Sequence, residues 1–475
     1  MDRYDIAIIG AGAAGLSVAA IGAAFGLKVV LIERGAMGGD CLNYGCVPSK
    51  AMLAAGHAAA AARDAGRFGV RTGPVTVDWA AMRAHVRGAI AAIAPNDSIA
   101  RFQGMGVEVI QAAAHFTAPD EIEAGTRRLR FRRCVIAAGS AAVVPDLPGL
   151  SGLPFLTNET LFELESPPEH LLILGGGPIG IEMAQAHARL GCAVTVIEAA
   201  ESIMGREDPE AVAALRTALA RDGVAFIEGV AATGAEPDGE GVALLLADGS
   251  RIAGSHLLLA LGRAPRLAGL DLPAAGVEAS KRGVAVGRDL RSRSNRRIWA
   301  SGDIADPAGI GPRAFTHVAS QHAGIIVQSM FFRLPARLSY AALPRVTYCD
   351  PELAQIGLTE AEARAEGRCA EVLRWPLGEN DRAVAEGIEA GIVKLVVDAR
   401  ARLVGATVLA PRAGDWAGIF GLMIARGHKL SALAQLVLPY PSLPEAAKRA
   451  AGEYYGPRLL RPAIKRLVAW LMRLP

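Results

Sequence analysis

The feature that most restricts what this chain can fold into is a stretch that occurs twice. Residues 5–34 read DIAIIGAGAAGLSVAAIGAAFGLKVVLIER, and residues 170–199 read HLLILGGGPIGIEMAQAHARLGCAVTVIEA. Each copy has an apolar strand, a glycine-rich turn, an alanine-rich helix ending near a glycine, and a second strand ending in glutamate. In both copies the acidic residue follows the first glycine by 23 positions, Gly10 to Glu33 and Gly175 to Glu198. One such match could arise by chance. Two at equal spacing point to two β-α-β units, each built around parallel strands.

The glycines have separate tasks. In Gly10, Gly12 and Gly15 the first permits the tight turn, the second lets backbone approach a pyrophosphate, and the third allows helix to pack on strand. The helix N-terminus then offers free N–H groups to the anion. Glu33 is placed to accept hydrogen bonds from ribose hydroxyls. Gly175, Gly177 and Gly180 repeat the pattern, with Glu198 in the acidic position. A carboxylate there repels a 2′-phosphate and favours NADH over NADPH. Two dinucleotide sites in one chain imply electron transfer between two cofactors.

That makes the segment GGDCLNYGCVPSK after the first unit informative. Cys41 and Cys46 flank four residues, and Pro48 suits the first turn of a helix. Cys46 then lies near a helix N-terminus with Lys50 close by, a setting that lowers a thiol pKa. A pair placed so is read as redox-active. The other cysteines, Cys134, Cys192, Cys349 and Cys369, are isolated in sequence and read as small packing residues. Six cysteines in 475 residues are no disulfide scaffold. A net charge of +3 gives no reason to expect nucleic acid. No histidine spacing marks a metal centre, and His57, His85 and His428 read as helix or surface residues.

These residues together resemble the class I pyridine nucleotide-disulfide oxidoreductases, which include lipoamide dehydrogenase, glutathione reductase and mercuric reductase. GGDCLNYGCVPSK is the most specific piece. The resemblance implies an FAD-dependent enzyme that passes electrons from NADH through FAD to a Cys41–Cys46 disulfide. Cys46 would be the flavin-side thiolate and Cys41 the interchange thiol that meets the acceptor. ASGDIAD resembles the second FAD motif, in which Gly302 and Asp303 would meet the flavin's ribityl chain. Arg34, Gly39, Asp40, Lys50, Ala114 and Thr316 would join the same cofactor site. ALGR, with Gly262, resembles a stretch near the nicotinamide nucleotide. Lys50 and Glu182 resemble an ion pair beside the flavin ring, and His317 matches a position near it.

The implied fold is α/β: two doubly wound, Rossmann-like dinucleotide-binding domains plus a C-terminal α+β dimerisation domain. Residues 1–150 and 280–335 would form a discontinuous FAD domain and 151–279 the NAD(P) domain. Residues 336–452 would form the interface of a homodimer, and 453–475 a basic tail. Dithiol-handling relatives carry a His-Pro…Glu motif near the C-terminus, whose His serves the partner subunit's thiols as a base. Here the matching stretch is PYPSLPEAAKRAA. Glu445 fits the Glu, but Tyr440 stands at the His position, and a phenol of pKa about 10 is a poor base at neutral pH. Mercuric reductases have a Tyr in a similar context, yet this tail lacks their terminal cysteine pair.

Three readings follow. The first is a mercuric-reductase-like enzyme with a small-molecule or metal-ion acceptor. The second is a dihydrolipoamide dehydrogenase with Tyr440 in place of His. The third is a membrane-associated flavin electron-transfer protein serving quinone or a protein partner. The third rests on the tail, where Leu460, Ile464, Leu467, Val468 and Leu471 recur at helical spacing among Arg461, Lys465 and Arg466. Such a helix suits an anionic membrane surface or docking on the dimer. The strand beginning at Tyr4 leaves no room for a leader peptide, and no apolar run spans a bilayer. A cytoplasmic protein, with peripheral membrane contact through the tail as an open alternative, is therefore expected.

Overall fold

The computed structural model describes residues 2–388 and 390–475. Contacts divide the chain into two compact units. One contains residues 1–175, 189–197 and 231–339; the other contains 176–188, 198–230 and 340–475.

In the first unit the opening strand, Asp2–Ile9, buries Tyr4, Ile6, Ala7 and Ile8 almost completely. Burial on both faces is expected of a central parallel strand. It pairs in parallel with Val29–Glu33 on one side and Arg127–Ile136 on the other. Glu108–Gln111 extends the parallel set beyond Val29–Glu33. The ten-residue strand Arg127–Ile136 does two jobs on its far edge. Its first half pairs with the antiparallel hairpin Ala114–Ala118/Glu121–Ala124, and its last three residues pair in parallel with Ile298–Ala300. Helix Ala13–Ala24 follows the first strand, so the first glycine turn and the end of Ile298–Ala300 emerge at the carboxyl edge of one sheet, where open α/β sheets bind ligands.

The second repeat builds the same unit again: His170–Leu174 lies parallel to both Ala193–Glu198 and His256–Leu259, with helix Pro178–Arg189 between the first two in sequence. An antiparallel meander, Ala232–Asp238, Gly241–Leu246 and Arg251–Gly254, precedes the third strand.

The other unit is organised around a five-stranded antiparallel sheet. Its order is Pro344–Thr347, Glu352–Gly357, Leu403–Ala410, Ile392–Val397, Glu371–Pro376. Helix Ala413–Arg426 packs Trp416, Phe420 and Met423 onto this sheet, and helix Glu445–Leu459 adds Ala446, Ala447, Ala450 and Ala451. The short helix Glu360–Ala365 opens with a reciprocal capping box between Thr359 and Glu362. Lys394, almost fully buried on strand Ile392–Val397, is neutralised by Asp208 at 2.7 Å, Glu360 at 2.8 Å and Glu210 at 3.3 Å.

Helix Glu445–Leu459 runs through residue 453, and the break falls at Leu460 and Arg461, just before Pro462 opens a separate helix, Pro462–Leu471. Proline tolerates a first-turn position because it has no N–H to lose there. Among the described residues no helix is long and apolar enough to cross a membrane.

Candidate active site

The two glycine turns are built alike. Gly10 has φ +105° and Gly175 +112°, and each donates its N–H at 2.8 Å to an isoleucine carbonyl of the next strand, Ile32 or Ile197. A Cβ on Gly10 would meet the Ala137 carbonyl oxygen at 2.3 Å, and one on Gly175 the Ala260 carbonyl oxygen at 2.6 Å. Only glycine meets both demands. Gly15 is as constrained, since a Cβ would lie 1.9 Å from the Gly10 carbonyl oxygen. Gly180 is buried in its helix, and Gly177 has open space where a side chain would stand.

The strand-end glutamates also repeat. Glu33 accepts the N–H of Ala11 at 2.6 Å and of Gly35 at 2.7 Å. Glu198 accepts those of Gly176 at 2.7 Å and Ala200 at 2.9 Å. Each carboxylate therefore fixes its own glycine turn. Both remain half-buried at the sheet's end, with Arg34 exposed beside Glu33.

The Cys41 segment is pinned against the first turn. Gly38 and Gly39 adopt φ +87° and +62°, and a Cβ on Gly39 would sit 2.7 Å from the Gly12 Cα. Gly38 N–H donates to the Ala11 carbonyl at 2.9 Å. Cys41 lies in helix Gly39–Asn43, and Cys46 is the first residue of helix Cys46–Asp64, as Pro48 suggested. Asn43 ties the segment to the carbonyls of Met37 and Gly39. Asn158 reaches in from elsewhere and donates to the Asp40 carboxylate at 3.0 Å and the Tyr44 carbonyl at 3.2 Å.

Cys46 is exposed and Cys41 half-buried, both as free thiols. A hydrogen bond from Cys41 is the main influence that draws the Cys46 thiol down to about 6. Burial opposes it; the Thr316 hydroxyl and the Lys50 charge assist. Cys41 is pushed the other way, chiefly by the same hydrogen bond and then by burial. The pair thus holds one proton between two sulfurs, with the negative charge on Cys46. Thr316, expected only at the cofactor, places its hydroxyl 3.3 Å from Cys46 Sγ at the start of helix Thr316–Ile326. Two helix N-termini therefore converge on this sulfur, and both favour thiolate.

A second cluster sits beside it. Arg263, the arginine of ALGR, forms an ion pair with Asp40 at 3.0 Å and lies 3.9 Å from Asp303. Its Nε also donates to Ser140 Oγ at 2.8 Å, and Ser140 Oγ in turn donates to Asp303. Burial raises the Asp303 carboxyl; the Ser140 hydrogen bond and Arg263 hold it back. Gly262, at φ +112°, shapes the bend that lets strand Arg263–Pro265 pair with Ser140–Ala142. Asp40 and Asp303 are thus linked through one guanidinium. Sequence reading marked Gly262 and overlooked Arg263, Ser140 and Asn158.

His322 was also missed. It is fully buried, and its Nδ1 accepts the Gly302 N–H at 3.1 Å, setting the turn that aims Asp303. Burial lowers its pKa to about 4, which keeps the ring neutral and able to accept. His317 instead stacks on Phe315, with ring centroids 5.1 Å apart. Ala114 is buried in the edge hairpin, two residues after Ala112, whose N–H bonds the Glu33 carbonyl.

The remaining expected residues lie on the second unit. Glu182 is buried and accepts the Tyr348 N–H at 2.9 Å, and the Lys50 charge helps to lower the Cys46 thiol. Tyr440 is 70 % exposed, and its phenol donates to Asp381 at 2.9 Å. That bond raises the phenol's pKa, as does the Asp381 charge, so still less of it is ionised and able to accept a proton at neutral pH. Glu445 accepts the Ser442 N–H at 3.3 Å at the head of its helix. Cys134, Cys192 and Cys349 are buried; burial pushes Cys134 far up and Cys192 to about 11. Cys369 packs beside Ala363 and Val404. Among the described residues no group of three or more His, Cys, Asp or Glu could hold a metal ion.

Comparison with known proteins decides the family. Residues 4–323 match the pyridine nucleotide-disulphide oxidoreductase family, and residues 343–451 match its dimerisation domain. The chain belongs to this family. It is 35 % identical to a mercuric reductase of Streptomyces lividans over 94 % of this chain and 95 % of that one. It is 33 % identical to a dihydrolipoyl dehydrogenase of Thermus scotoductus over 95 % and 97 %. Among solved structures, the Cu(II) complex of the HOCl-induced flavoprotein disulfide reductase RclA from Escherichia coli superimposes with a TM-score of 0.85. It shares 25 % identity with the chain and covers 95 % of it and 99 % of RclA. LpdA from Mycobacterium tuberculosis gives 0.86 at 25 % identity, covering 96 % and 100 %. The family has the two-Rossmann-plus-dimerisation architecture expected from sequence, and its members are enzymes that use FAD and NAD(P)H. The first site fits FAD: the glycine turn leaves helix Ala13–Ala24 without a side-chain cap, and the Asp303 carboxyl waits at the sheet's end.

Proposed function

We propose that this enzyme carries electrons from NADH to a thiophilic metal ion through the Cys41–Cys46 pair. Glu33, Arg34, Gly39, Asp40 and Asp303 would hold FAD with the first glycine turn; Glu198 would favour NADH at the second. Bound FAD supplies hydride acceptance and two-electron reduction of the disulfide. The protein's own part begins with the reduced pair. Cys46 keeps the charge because Cys41 donates a proton toward it and Thr316 and Lys50 stabilise it. Cys41, protonated and half-buried, becomes a nucleophile when that proton leaves, and two thiolates then meet a soft cation. For a mercuric ion the balance is NADH + Hg²⁺ giving NAD⁺ + Hg⁰ + H⁺.

The observation that carries this reading is Tyr440. Lipoamide exchange needs a base able to take protons from two thiols near neutral pH, and a phenol tied to Asp381 cannot serve. The Cu(II) complex of RclA supports metal chemistry on this fold. In a homodimer, Tyr440 and Glu445 would approach the partner subunit's Cys41 and shape the acceptor's entrance. The tail supports peripheral attachment to an anionic membrane. In helix Pro462–Leu471 no residue is buried; Leu467, Val468, Trp470 and Leu471 are exposed, and no acidic residue follows Glu453.

The test is NADH oxidation by the FAD-loaded protein with mercuric ion, Cu(II) or lipoamide. Turnover of about 1–1000 per second with a metal ion, abolished by Cys46→Ser, is expected. Turnover in that range with lipoamide alone would overturn the proposal in favour of a dihydrolipoyl dehydrogenase. Liposome co-sedimentation that survives deletion of residues 460–475 would remove the membrane role from the tail.

A further inference from the structure

Away from the redox site, the first unit has a cavity of about 920 Å³ lined by six arginines, Arg133, Arg288, Arg291, Arg296, Arg333 and Arg337, against one carboxylate, Asp289. It lies back along the sheet from the carboxyl edge. Arg133 pairs with Ile6 in mid-strand, and Arg296 lies two residues before strand Ile298–Ala300.

Two of the arginines are held in place without being neutralised. Arg291 stacks over Trp299 at 5.1 Å and donates Nε to the Arg296 carbonyl at 2.7 Å. Arg133 lies over the same ring at 6.0 Å and donates to the Arg132 carbonyl at 2.9 Å. Trp299 is itself fixed by Ser329 at 3.1 Å. Arg288 Nε is buried and has no hydrogen-bond partner. Asp289 accepts the Arg291 backbone N–H at 3.3 Å. Burial and neighbouring arginines depress both Arg133 and Arg291. A fold gains nothing from gathering like charges around an unsatisfied buried donor. Each guanidinium presents a planar fork that matches phosphate oxygens, and several around one cavity suit more than one phosphate.

We propose that this cavity binds a small anion carrying two or more phosphate groups, at a site separate from both dinucleotide turns. Trp299 is 2 % exposed and offers no stacking face, so recognition rests on the phosphates.

The test is calorimetric titration of the FAD-loaded protein, saturated with NAD⁺ to block the second dinucleotide site. Tripolyphosphate is expected to bind one per chain, with affinity falling as salt rises. Orthophosphate should bind at least tenfold more weakly. Arg333 and Arg337 are exposed, so Arg333→Gln/Arg337→Gln should fold normally. It should lose tenfold or more in tripolyphosphate affinity while NADH still reduces the flavin at the original rate. ATP run beside tripolyphosphate separates a nucleotide from inorganic polyphosphate, and either order of affinity supports the site. No saturable heat with tripolyphosphate would overturn the proposal. So would equal affinity for orthophosphate, unchanged affinity in the double variant, or binding only to anionic vesicles.

Discussion

Substituting Cys41 by Ala tests the origin of the Cys46 thiolate. In the intact pair Cys46 titrates at about 6 against an ordinary thiol value of 9.0, so about nine-tenths is thiolate at pH 7 instead of about one-hundredth. The largest cause is the hydrogen bond from Cys41, while Thr316 and Lys50 persist in the variant. Removing that one bond should return the midpoint to about 8, since a single strong hydrogen bond to the charged form moves a pKa by a unit or more. Rate at one pH would mislead. At pH 7 the variant has about tenfold less thiolate, but the more basic sulfur is about eightfold more nucleophilic for a Brønsted slope near 0.45, and the two nearly cancel. At pH 5 the thiolate deficit is about ninetyfold and the net reaction about tenfold slower. Above pH 9 the variant should be about eightfold faster. Iodoacetamide labelling of the reduced, FAD-loaded protein from pH 4.5 to 10, with Cys46 followed by mass spectrometry, gives both curves. A variant midpoint that stays near 6 would refute the role of Cys41, and a wild-type midpoint near 9 would refute the whole electrostatic account.

Other consequences can be checked separately. His322 titrates at about 4 folded against 6.5 unfolded. The unfolded chain therefore binds the extra proton first, and stability is complete above pH 6.5 and falls by about 3 kcal/mol as pH drops to 4. Denaturant titrations across that window should lose the corresponding part of their acid dependence in His322→Asn. Lys394→Met leaves Asp208 buried without its cation and should destabilise by about 3–5 kcal/mol; Lys394→Met combined with Asp208→Leu should recover most of that. Glu360 is held at about 2, because hydrogen bonds from Lys394 and Arg364 override the upward effect of burial. Its contribution is complete above pH 4.5 and lost as pH falls toward 2, which melting curves of Glu360→Gln should show as a flatter acid limb. Gly39→Ala places a Cβ 2.7 Å from Gly12 at φ +62°. It should be isolated largely without FAD; a fully yellow protein would show that the loop can move aside.

The sequence by itself determined the repeated β-α-β units, the tasks of Gly10, Gly15 and Gly175, and the start of a helix at Cys46. These are local matters. A glycine at positive φ, a proline in a first turn and an apolar run bounded by a turn carry their consequences within a few residues. The glutamates were found by spacing alone, because the strand that delivers Glu33 or Glu198 follows its turn at a fixed distance. Tertiary structure decided the rest. Thr316 lies 270 positions from Cys46, Ser140 lies 163 from Asp303, and Asn158 lies 118 from Asp40. No periodicity relates such residues, since their meeting depends on how separate strands end at one sheet edge. Arg263 belonged to a recognisable motif, but only the pairing of its strand with Ser140–Ala142 shows that its charge serves Asp40 and Asp303. The six-arginine cavity is further still from the sequence: its members come from three separated segments, and their charges act together only because folding brings them to one wall.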